Sequence, residues 1–104
     1  MQVQINTDKN IDGNERLENY ITSEIKTTLS RFEDKITRLE IHFGDENSDK
    51  FSERDKRCMI EARIEKVAPI AVTEYSDTVE KAFHGALGKI KKSLTTHFDK
   101  IKTY

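Results

Sequence analysis

Two stretches near the middle of the chain, Thr37-Arg-Leu-Glu-Ile-His-Phe43 and Arg57-Cys-Met-Ile-Glu-Ala-Arg-Ile-Glu65, decide the fold. Apolar and polar residues alternate in both stretches, and this period of two is typical of strands with one buried and one wet face. Residues 2–6 and 70–75 repeat the alternation over shorter spans. The sequence therefore predicts four strands, with Pro69 at the first residue of the last one, where its missing N–H costs least.

Two further segments have apolar residues at spacings of three and four, the period of an amphipathic helix. The first apolar stripe covers about five turns and consists of Leu17, Tyr20, Ile21, Ile25, Leu29 and Phe32. The second covers about six turns and consists of Val79, Ala82, Phe83, Ala86, Leu87, Ile90, Leu94, Phe98 and Ile101. Asn14 is the candidate N-cap of the first helix. Ser76 or Asp77 is the candidate cap of the second, with Glu80 placed to complete a capping box.

The predicted element order is β-α-β-β-β-α, which belongs to the α+β class. Because each strand has one apolar side and each helix one apolar stripe, both helices must cover the same face of a single four-stranded sheet. Residues 45–56 are polar, charged and without a period, and they are expected to form a long flexible acidic loop. A chain of 104 residues is expected to fold as one domain, spanning residues 1–104.

Charge is unevenly distributed along the chain. The formal net charge is −1, although 36% of the residues are charged, so no global field draws the protein to nucleic acid. Residues 40–55 contain six acidic residues against two basic ones, whereas residues 81–104 contain six lysines against one aspartate. A nearly neutral total therefore conceals one acidic segment and one strongly basic segment.

Compartment signals favour the cytoplasm. Cys58 is the only cysteine, so no internal disulfide is possible, and this is typical of a protein in a reducing compartment. The first residues lack the basic and apolar regions of a signal peptide. No stretch approaches the roughly 20 apolar residues that a membrane-spanning helix needs. We expect a cytoplasmic protein with no membrane partner.

Residues that carry catalysis or hold metals in other proteins are scattered here. Cys58 is on the inward side of a strand, where the role of a small buried hydrophobic side chain is expected. The three histidines share no spacing with it, and His97 is expected to pack in the core. Residues 45–49 match the start of a calcium loop, but Lys50 and Lys56 stand where glycine and glutamate are needed. We therefore expect no enzyme activity, catalytic residue, metal, cofactor or small-molecule substrate.

Lysines dominate the polar side of the last helix. At 100° per residue, Lys81 and Lys92 point almost directly away from the apolar stripe, and Lys89 and Lys91 lie on its two flanks with few acids nearby. A lysine-rich outer face is commonly only a soluble surface, so this pattern alone leaves both RNA binding and simple solvation open.

Two other features bear on the same surface. Lys26, on the outer side of the first helix, extends the basic area, and a groove between two parallel basic ridges suits a phosphate backbone or an RNA helix. Gly85 and Gly88 each cost about 1 kcal/mol in a helix interior relative to alanine, which indicates a close approach by the sheet or by a ligand backbone. Aromatic residues do not alternate with the lysines, so base stacking is not expected.

Four segments, taken in order, carry a family resemblance: MQVQI at residues 1–5, LSRFEDKI at 29–36, DKRCMIEAR at 55–63 and GALGKIKKSLTTHFDKIK at 85–102. Together they resemble the short, single-domain branch of the ribosome hibernation-promoting factors and ribosome-associated inhibitors. The last segment is similar, without a gap, to the basic C-terminal helix of that family.

The resemblance implies a fold similar to double-stranded RNA-binding domains and a role in stress-related inhibition of translation. It implies that the protein, expected to be a monomer, binds the RNA of the small ribosomal subunit between head and body and blocks the channel of messenger and transfer RNA. By resemblance, Lys89 and Lys92 contact ribosomal RNA, as does Lys26. The further candidates are Lys81, Lys91, Arg57 and Arg63.

Several positions depart from the family pattern. Gly88 stands where an acidic residue is frequent, Ser93 replaces glutamine, and Thr96 and Phe98 replace basic residues. The dimerisation domain of longer members has no counterpart, so pairing of ribosomes by that route is not expected.

Two other functions stay open at this point. A general double-stranded RNA-binding module would place its lysines at the start of the last helix, and a protein-interaction domain would use the acidic residues 45–55.

Overall fold

The computed structural model describes residues 1–8, 11, 13–45 and 55–102, the last two of these by backbone alone. Its elements are β1 (Gln2–Thr7), α1 (Glu15–Thr28), a 3-10 turn (Ser30–Phe32), β2 (Ile36–Asp45), β3 (Lys56–Ile64), β4 (Ile70–Ser76) and α2 (Val79–Lys102). This order confirms the predicted β-α-β-β-β-α arrangement. Most of the predicted acidic loop at residues 45–56 lies outside the described residues, as does the side chain of Ile101.

The four strands form one mixed sheet in the order β1-β2-β3-β4. β1 is parallel to β2, and the other two neighbouring pairs are antiparallel. In the central pair, three sets of buried residues lie opposite each other: Leu39 and Ala62, Ile41 and Ile60, and Phe43 and Cys58. The register thus brings the apolar sides of both strands to one face, as the alternation predicts.

Both helices pack on that apolar face and complete one core. Their buried residues are Ile21, Ile25, Ala82, Phe83, Ala86, Leu87, Ile90, Leu94 and Phe98. Ring contacts join α2 to α1 and to the 3-10 turn that follows it, with centroids of Tyr20 and Phe83 6.4 Å apart and those of Phe32 and Phe98 5.6 Å apart. The first contact lies near the start of both helices, and the second lies near the end of both. α1 and α2 therefore run parallel, with a groove between them.

The first helix begins as predicted but ends sooner. The Oδ1 atom of Asn14 accepts a 2.8 Å hydrogen bond from the backbone N–H of Leu17, which confirms the predicted cap. The helix stops at Thr28, and Phe32 belongs to the 3-10 turn, which still buries its ring. The sequence places Pro69 at the first residue of the last strand, but β4 begins at Ile70, so Pro69 lies immediately before it.

The predicted cap of the last helix is wrong. α2 begins after Thr78, whose Oγ1 accepts a 3.1 Å hydrogen bond from the backbone N–H of Lys81. Ser76 is still part of β4, and the Asp77 carboxylate accepts hydrogen bonds from the side chains of Ser76 and Lys81 instead. Glu80 is therefore one place too early for a capping box, although its charge remains favourable in the first helical turn.

Two aromatic side chains that the sequence assigns to the core are less buried than predicted. Tyr20 is 38% exposed, because it lies at the edge of the stripe and faces α2 rather than the sheet. Its hydroxyl forms a 2.5 Å hydrogen bond with Nε2 of His84. His97 is half-buried, with its ring edge-on to Phe98 at a centroid distance of 4.9 Å.

Candidate RNA-binding surface

The four predicted lysines of α2 are all exposed, and we call Lys81, Lys89, Lys91 and Lys92 the α2 ridge. Lys81 and Lys92 stand on the side of the helix that faces away from the sheet, and Lys89 and Lys91 lie on its two flanks. From the first to the last, the helix rises about 16 Å at 1.5 Å per residue. The ridge therefore spreads its ammonium groups over about three helical turns, enough to meet several successive phosphates.

Two lysines of the ridge lie close to hydrogen-bond acceptors, although the sequence predicts few acidic residues near the ridge. Lys81 lies 3.4 Å from the carboxylate of Asp77, one turn earlier. Lys89 donates a 2.9 Å hydrogen bond to the carbonyl oxygen of Thr73 and lies 3.5 Å from the carboxylate of Glu74. Helical spacing does not predict the second pair, because the partner is on β4, brought beneath α2 by the fold.

Lys91 borders the groove between the helices. His84, Lys91 and Phe98 follow at intervals of seven residues and so lie along one flank of α2. That flank faces α1, because His84 bonds to Tyr20 and Phe98 stacks on Phe32. Within the part of the chain that the structure describes, neither Lys91 nor Lys92 forms an ion pair.

Lys26 is exposed in the last turn of α1, but it does not line the groove. It follows Tyr20, which contacts α2, by six residues, and it therefore projects about 120° around the helix from that contact. Its ammonium group forms no ion pair with any residue in the described ranges. The basic area of α1 is thus separated from the α2 ridge by the outer surface of α1, rather than facing it.

The two predicted arginines lie on the opposite face of the sheet. Arg57 and Arg63 alternate with the buried residues of β3 and so point away from both helices. Arg63 is paired, with Nε 2.8 Å from Glu61 and 3.3 Å from Glu40. The structure therefore does not bring these arginines together with the lysines of α2.

Glu40 is the centre of that second face. Partial burial acts to raise the pKa of its carboxyl, but the Arg38 charge, a hydrogen bond with His42 and the Arg63 charge together lower the pKa below its usual value. The Arg38 guanidinium lies 2.9 Å and the His42 ring 3.3 Å from the carboxylate. Because Arg38 and Arg63 are held by this carboxylate, they are less available to phosphates than the cations of the ridge.

Three cations outside the predicted set lie where the two helices end. The Arg31 guanidinium is 4.8 Å from the centroid of the Phe32 ring, and the Lys35 ammonium is 5.1 Å from that of Phe98. Arg31 also lies 4.0 Å from Asp99, and Lys100 is exposed on the last turns of α2. A one-dimensional pattern does not reveal this grouping, because the Phe32–Phe98 contact creates it.

The two helix glycines have different surroundings. A Cβ atom at Gly85 would lie 2.6 Å from Cγ of Glu74, so this glycine permits the close approach of β4. A Cβ atom at Gly88 would meet nothing within 4 Å. Packing of the chain itself therefore explains Gly85 but not Gly88, which is exposed on the outward side of α2.

No chemical centre is found in the described part of the chain. Cys58 is fully buried, and burial raises the pKa of its thiol to about 12, against a smaller lowering by Arg57. The described residues contain no cluster of three or more side chains suited to a metal ion. The calcium-loop segment falls mostly outside them. No helix in the described ranges is long and apolar enough to cross a membrane.

Residues 4–102 match the family described as "Sigma 54 modulation protein / S30EA ribosomal protein". The chain belongs to this family. It is a family of ribosome-associated, non-enzymatic factors, and the match confirms the resemblance to the hibernation-promoting factors. No curated protein matches the chain in sequence.

Two solved structures with the same fold are similar to the family member described here. The N-terminal domain of Protein Y from Thermus thermophilus superposes with a TM-score of 0.73 at 11% identity, covering 93% of this chain and 99% of that one. A ribosomal subunit interface protein from Coxiella burnetii superposes with a TM-score of 0.71 at 17% identity, covering 95% and 99%. At these identities the likeness extends to the fold and not to individual side chains.

Proposed function

We propose that this protein binds the RNA of the small ribosomal subunit as a monomer in the cytoplasm. It holds the subunit idle by occupying the channel of messenger and transfer RNA. The mechanism needs no chemistry, since a folded domain in the channel excludes the two RNAs by its volume. The observation that carries the proposal is the α2 ridge, which presents exposed ammonium groups on a long helix of a protein in a ribosome-associated family.

Binding by the ridge is electrostatic. Each lysine that reaches a phosphate releases condensed counterions, which favours association at low salt and weakens it as salt rises. In the part of the chain that the structure describes, no phenylalanine or tyrosine of α2 is exposed, so the shape and charge of folded RNA are read rather than single bases. The net charge of −1 does not oppose this, because the cations are concentrated on one side.

The predicted residues differ in their suitability. Lys91 and Lys92, without ion pairs in the described ranges, are proposed as the main phosphate contacts. Lys89 contributes to phosphate binding after it leaves Thr73 and Glu74. Lys81 contributes after it leaves Asp77. Lys26 is proposed to meet a second segment of RNA, because it projects away from the groove. Arg57 and Arg63 are proposed as minor contacts, reached only if RNA also meets the far face of the sheet.

The fold likeness adds support from a different direction. The Coxiella burnetii protein is named as a ribosomal subunit interface protein, and the described fold covers 99% of its chain. A position at the interface of the subunits is consistent with occlusion of the channel that runs there.

A cosedimentation experiment with purified small subunits tests the proposal. The double variant Lys91→Glu and Lys92→Glu is expected to lose most of its binding at moderate salt and to stay folded, because both side chains are exposed and form no ion pair in the described ranges. The matched control is Lys66→Glu, an equal charge change per site in the exposed turn between β3 and β4. If the wild-type protein fails to migrate with small subunits, or the double variant binds like the control, the proposed function or its site is wrong.

A further inference from the structure

The groove between the helices changes character along its length. Where both helices end, cations border it. Where both begin, it opens into a notch of about 500 Å³ with a mainly apolar lining. We call this the N-terminal notch, and its lining includes Ile11, Leu17, Val79, Tyr20, Arg16 and Glu80. A space of this size accommodates one or two large side chains of a partner but not a folded element.

Tyr20 forms an exposed but fixed wall of the notch. Its ring is 38% exposed, yet it lies edge-on to the rings of Phe83 and His84, at centroid distances of 6.4 Å and 5.9 Å. Its hydroxyl is held by His84. An aromatic ring that is already immobilised loses little conformational freedom on binding, which is the property of a preorganised interface contact.

The charge at this end of the groove differs from that of the α2 ridge, because one acidic and one basic side chain line the notch and a second acid lies nearby. Glu80 is on the rim, and Glu24 is one turn beyond Tyr20 on α1. After partial burial, the charges of these two carboxylates are the next causes that raise the pKa of the Tyr20 hydroxyl. Arg16 is the only basic side chain among the described residues that line the notch. A phosphate backbone gains no net attraction from such a rim, whereas a cationic side chain is attracted to the two carboxylates.

We propose that the N-terminal notch docks a basic polypeptide segment, with an apolar side chain in the notch and an arginine or lysine beside Glu80 and Glu24. The same cation contacts the exposed part of the Tyr20 ring, which adds a cation–π attraction. This inference rests on the proposed ribosome association and deepens it. It assigns RNA to the α2 ridge and a protein component of the ribosome to the other end of the same groove.

Charge reversal separates a protein partner from RNA by the sign of the effect. Glu80→Lys is expected to weaken ribosome binding about tenfold, the effect of losing one well-packed interface contact. Glu80→Gln is expected to weaken it less and in the same direction, and thermal unfolding checks that both variants fold. The matched control Glu65→Lys adds the same charge in the exposed turn after β3 and leaves binding unchanged or slightly tighter. Tighter or unchanged binding by Glu80→Lys overturns the proposal.

Substitutions of Tyr20 test the ring itself. Tyr20→Phe keeps the ring and loses the hydrogen bond to His84, so near wild-type binding is expected. Tyr20→Ala removes the wall of the notch and is expected to lose about tenfold in affinity. Equal binding by the alanine and phenylalanine variants, with both folded, contradicts a role for the ring.

A photo-crosslink identifies the class of partner. With p-benzoylphenylalanine in place of Arg16 on the rim, illumination on purified ribosomes is expected to join this chain to a ribosomal protein. A crosslink to ribosomal RNA, to a second copy of this chain, or to nothing overturns the proposal. If the wild-type protein does not bind ribosomes, the proposed function itself fails. If it binds but all the notch variants behave like Glu65→Lys, only this inference fails.

Discussion

Lys89 lies across the edge of the sheet, where its ammonium group donates a 2.9 Å hydrogen bond to the carbonyl oxygen of Thr73. β4 is an edge strand, and a backbone carbonyl at such an edge is otherwise open to water or to another strand. The same ammonium group is 3.5 Å from Glu74. Lys89 therefore ties α2 to β4 as well as adding to the charge of the ridge, whereas Lys92 contributes charge alone.

Lys89→Ala and Lys92→Ala are expected to differ in stability. Removal of Lys89 loses one exposed hydrogen bond and one exposed ion pair, together about 0.5 to 1 kcal/mol. For a domain of this size that lowers Tm by a few degrees. Lys92→Ala is expected to leave urea unfolding unchanged and to reduce ribosome binding. Equal stability of the two variants in urea would contradict a stabilising role for the contacts of Lys89 with Thr73 and Glu74.

The two glycines of α2 provide a second matched pair. Gly88→Ala places a methyl group in open space and is expected to raise the free energy of unfolding by about 1 kcal/mol through helix propensity. Gly85→Ala forces Cγ of Glu74 to move, because the new Cβ would lie 2.6 Å from it. That displacement offsets the gain in propensity and weakens the pairing of Glu74 with Lys89. Chemical denaturation of both variants measures the difference, and an equal gain from both would contradict the close approach.

The periodic patterns predict the fold well, because burial of a single face requires one solution for strands and helices alike. The alternation in residues 37–43 and 57–65 corresponds to β2 and β3 within two residues at each end. The cap of α2 is different. Ser76, Asp77 and Thr78 are all suitable cap residues by type, and the choice of Thr78 depends on how far β4 continues, which is a tertiary effect.

The candidate site is predicted only in part from the sequence. Helical spacing places Lys81 and Lys92 outward, and both are exposed. It does not predict that Glu74 reaches Lys89 or that Lys35 stands over Phe98. Each of these depends on which element packs beside which, so no pattern within one element contains it.

Salt dependence is expected to count the phosphate contacts. If the four ridge lysines each meet a phosphate, the plot of log K against log salt for small subunits has a slope of about −3 to −4. Lys91→Ala and Lys92→Ala each reduce the slope by about 0.7 to 0.9. Lys66→Ala, in the turn between β3 and β4, serves as the control and leaves the slope unchanged. A slope near zero would mean that the complex is not held by phosphates.

Plain duplex RNA distinguishes a ribosome-specific factor from a general double-stranded RNA-binding module. Of the four ridge lysines, Lys81 lies in the first turn of α2, next to Glu80, and the other three lie about two to three turns further along the helix. We expect no shift of a short RNA duplex in a gel at protein concentrations that saturate small subunits. Binding to duplex and subunit with similar affinity would favour the general module.

Cys58 makes stability depend on alkaline pH. In the unfolded chain its thiol has the ordinary pKa of 9.0, whereas burial raises the pKa to about 12 in the folded protein. Above pH 9 the unfolded chain releases this proton and the folded protein keeps it. The contribution of the thiol to stability is therefore complete below pH 9 and declines toward pH 12, by about 1.4 kcal/mol per pH unit.

Cys58→Ala isolates this contribution, because other groups that titrate in alkali are common to both proteins. The wild-type free energy of unfolding is expected to fall more steeply than that of the variant between pH 9 and about 11. Iodoacetamide is expected to modify the wild-type thiol only under unfolding conditions, since a buried, protonated thiol is unreactive. Parallel pH profiles, or rapid modification of the native protein at pH 8, would mean that Cys58 is not held in the core between β3 and the helices.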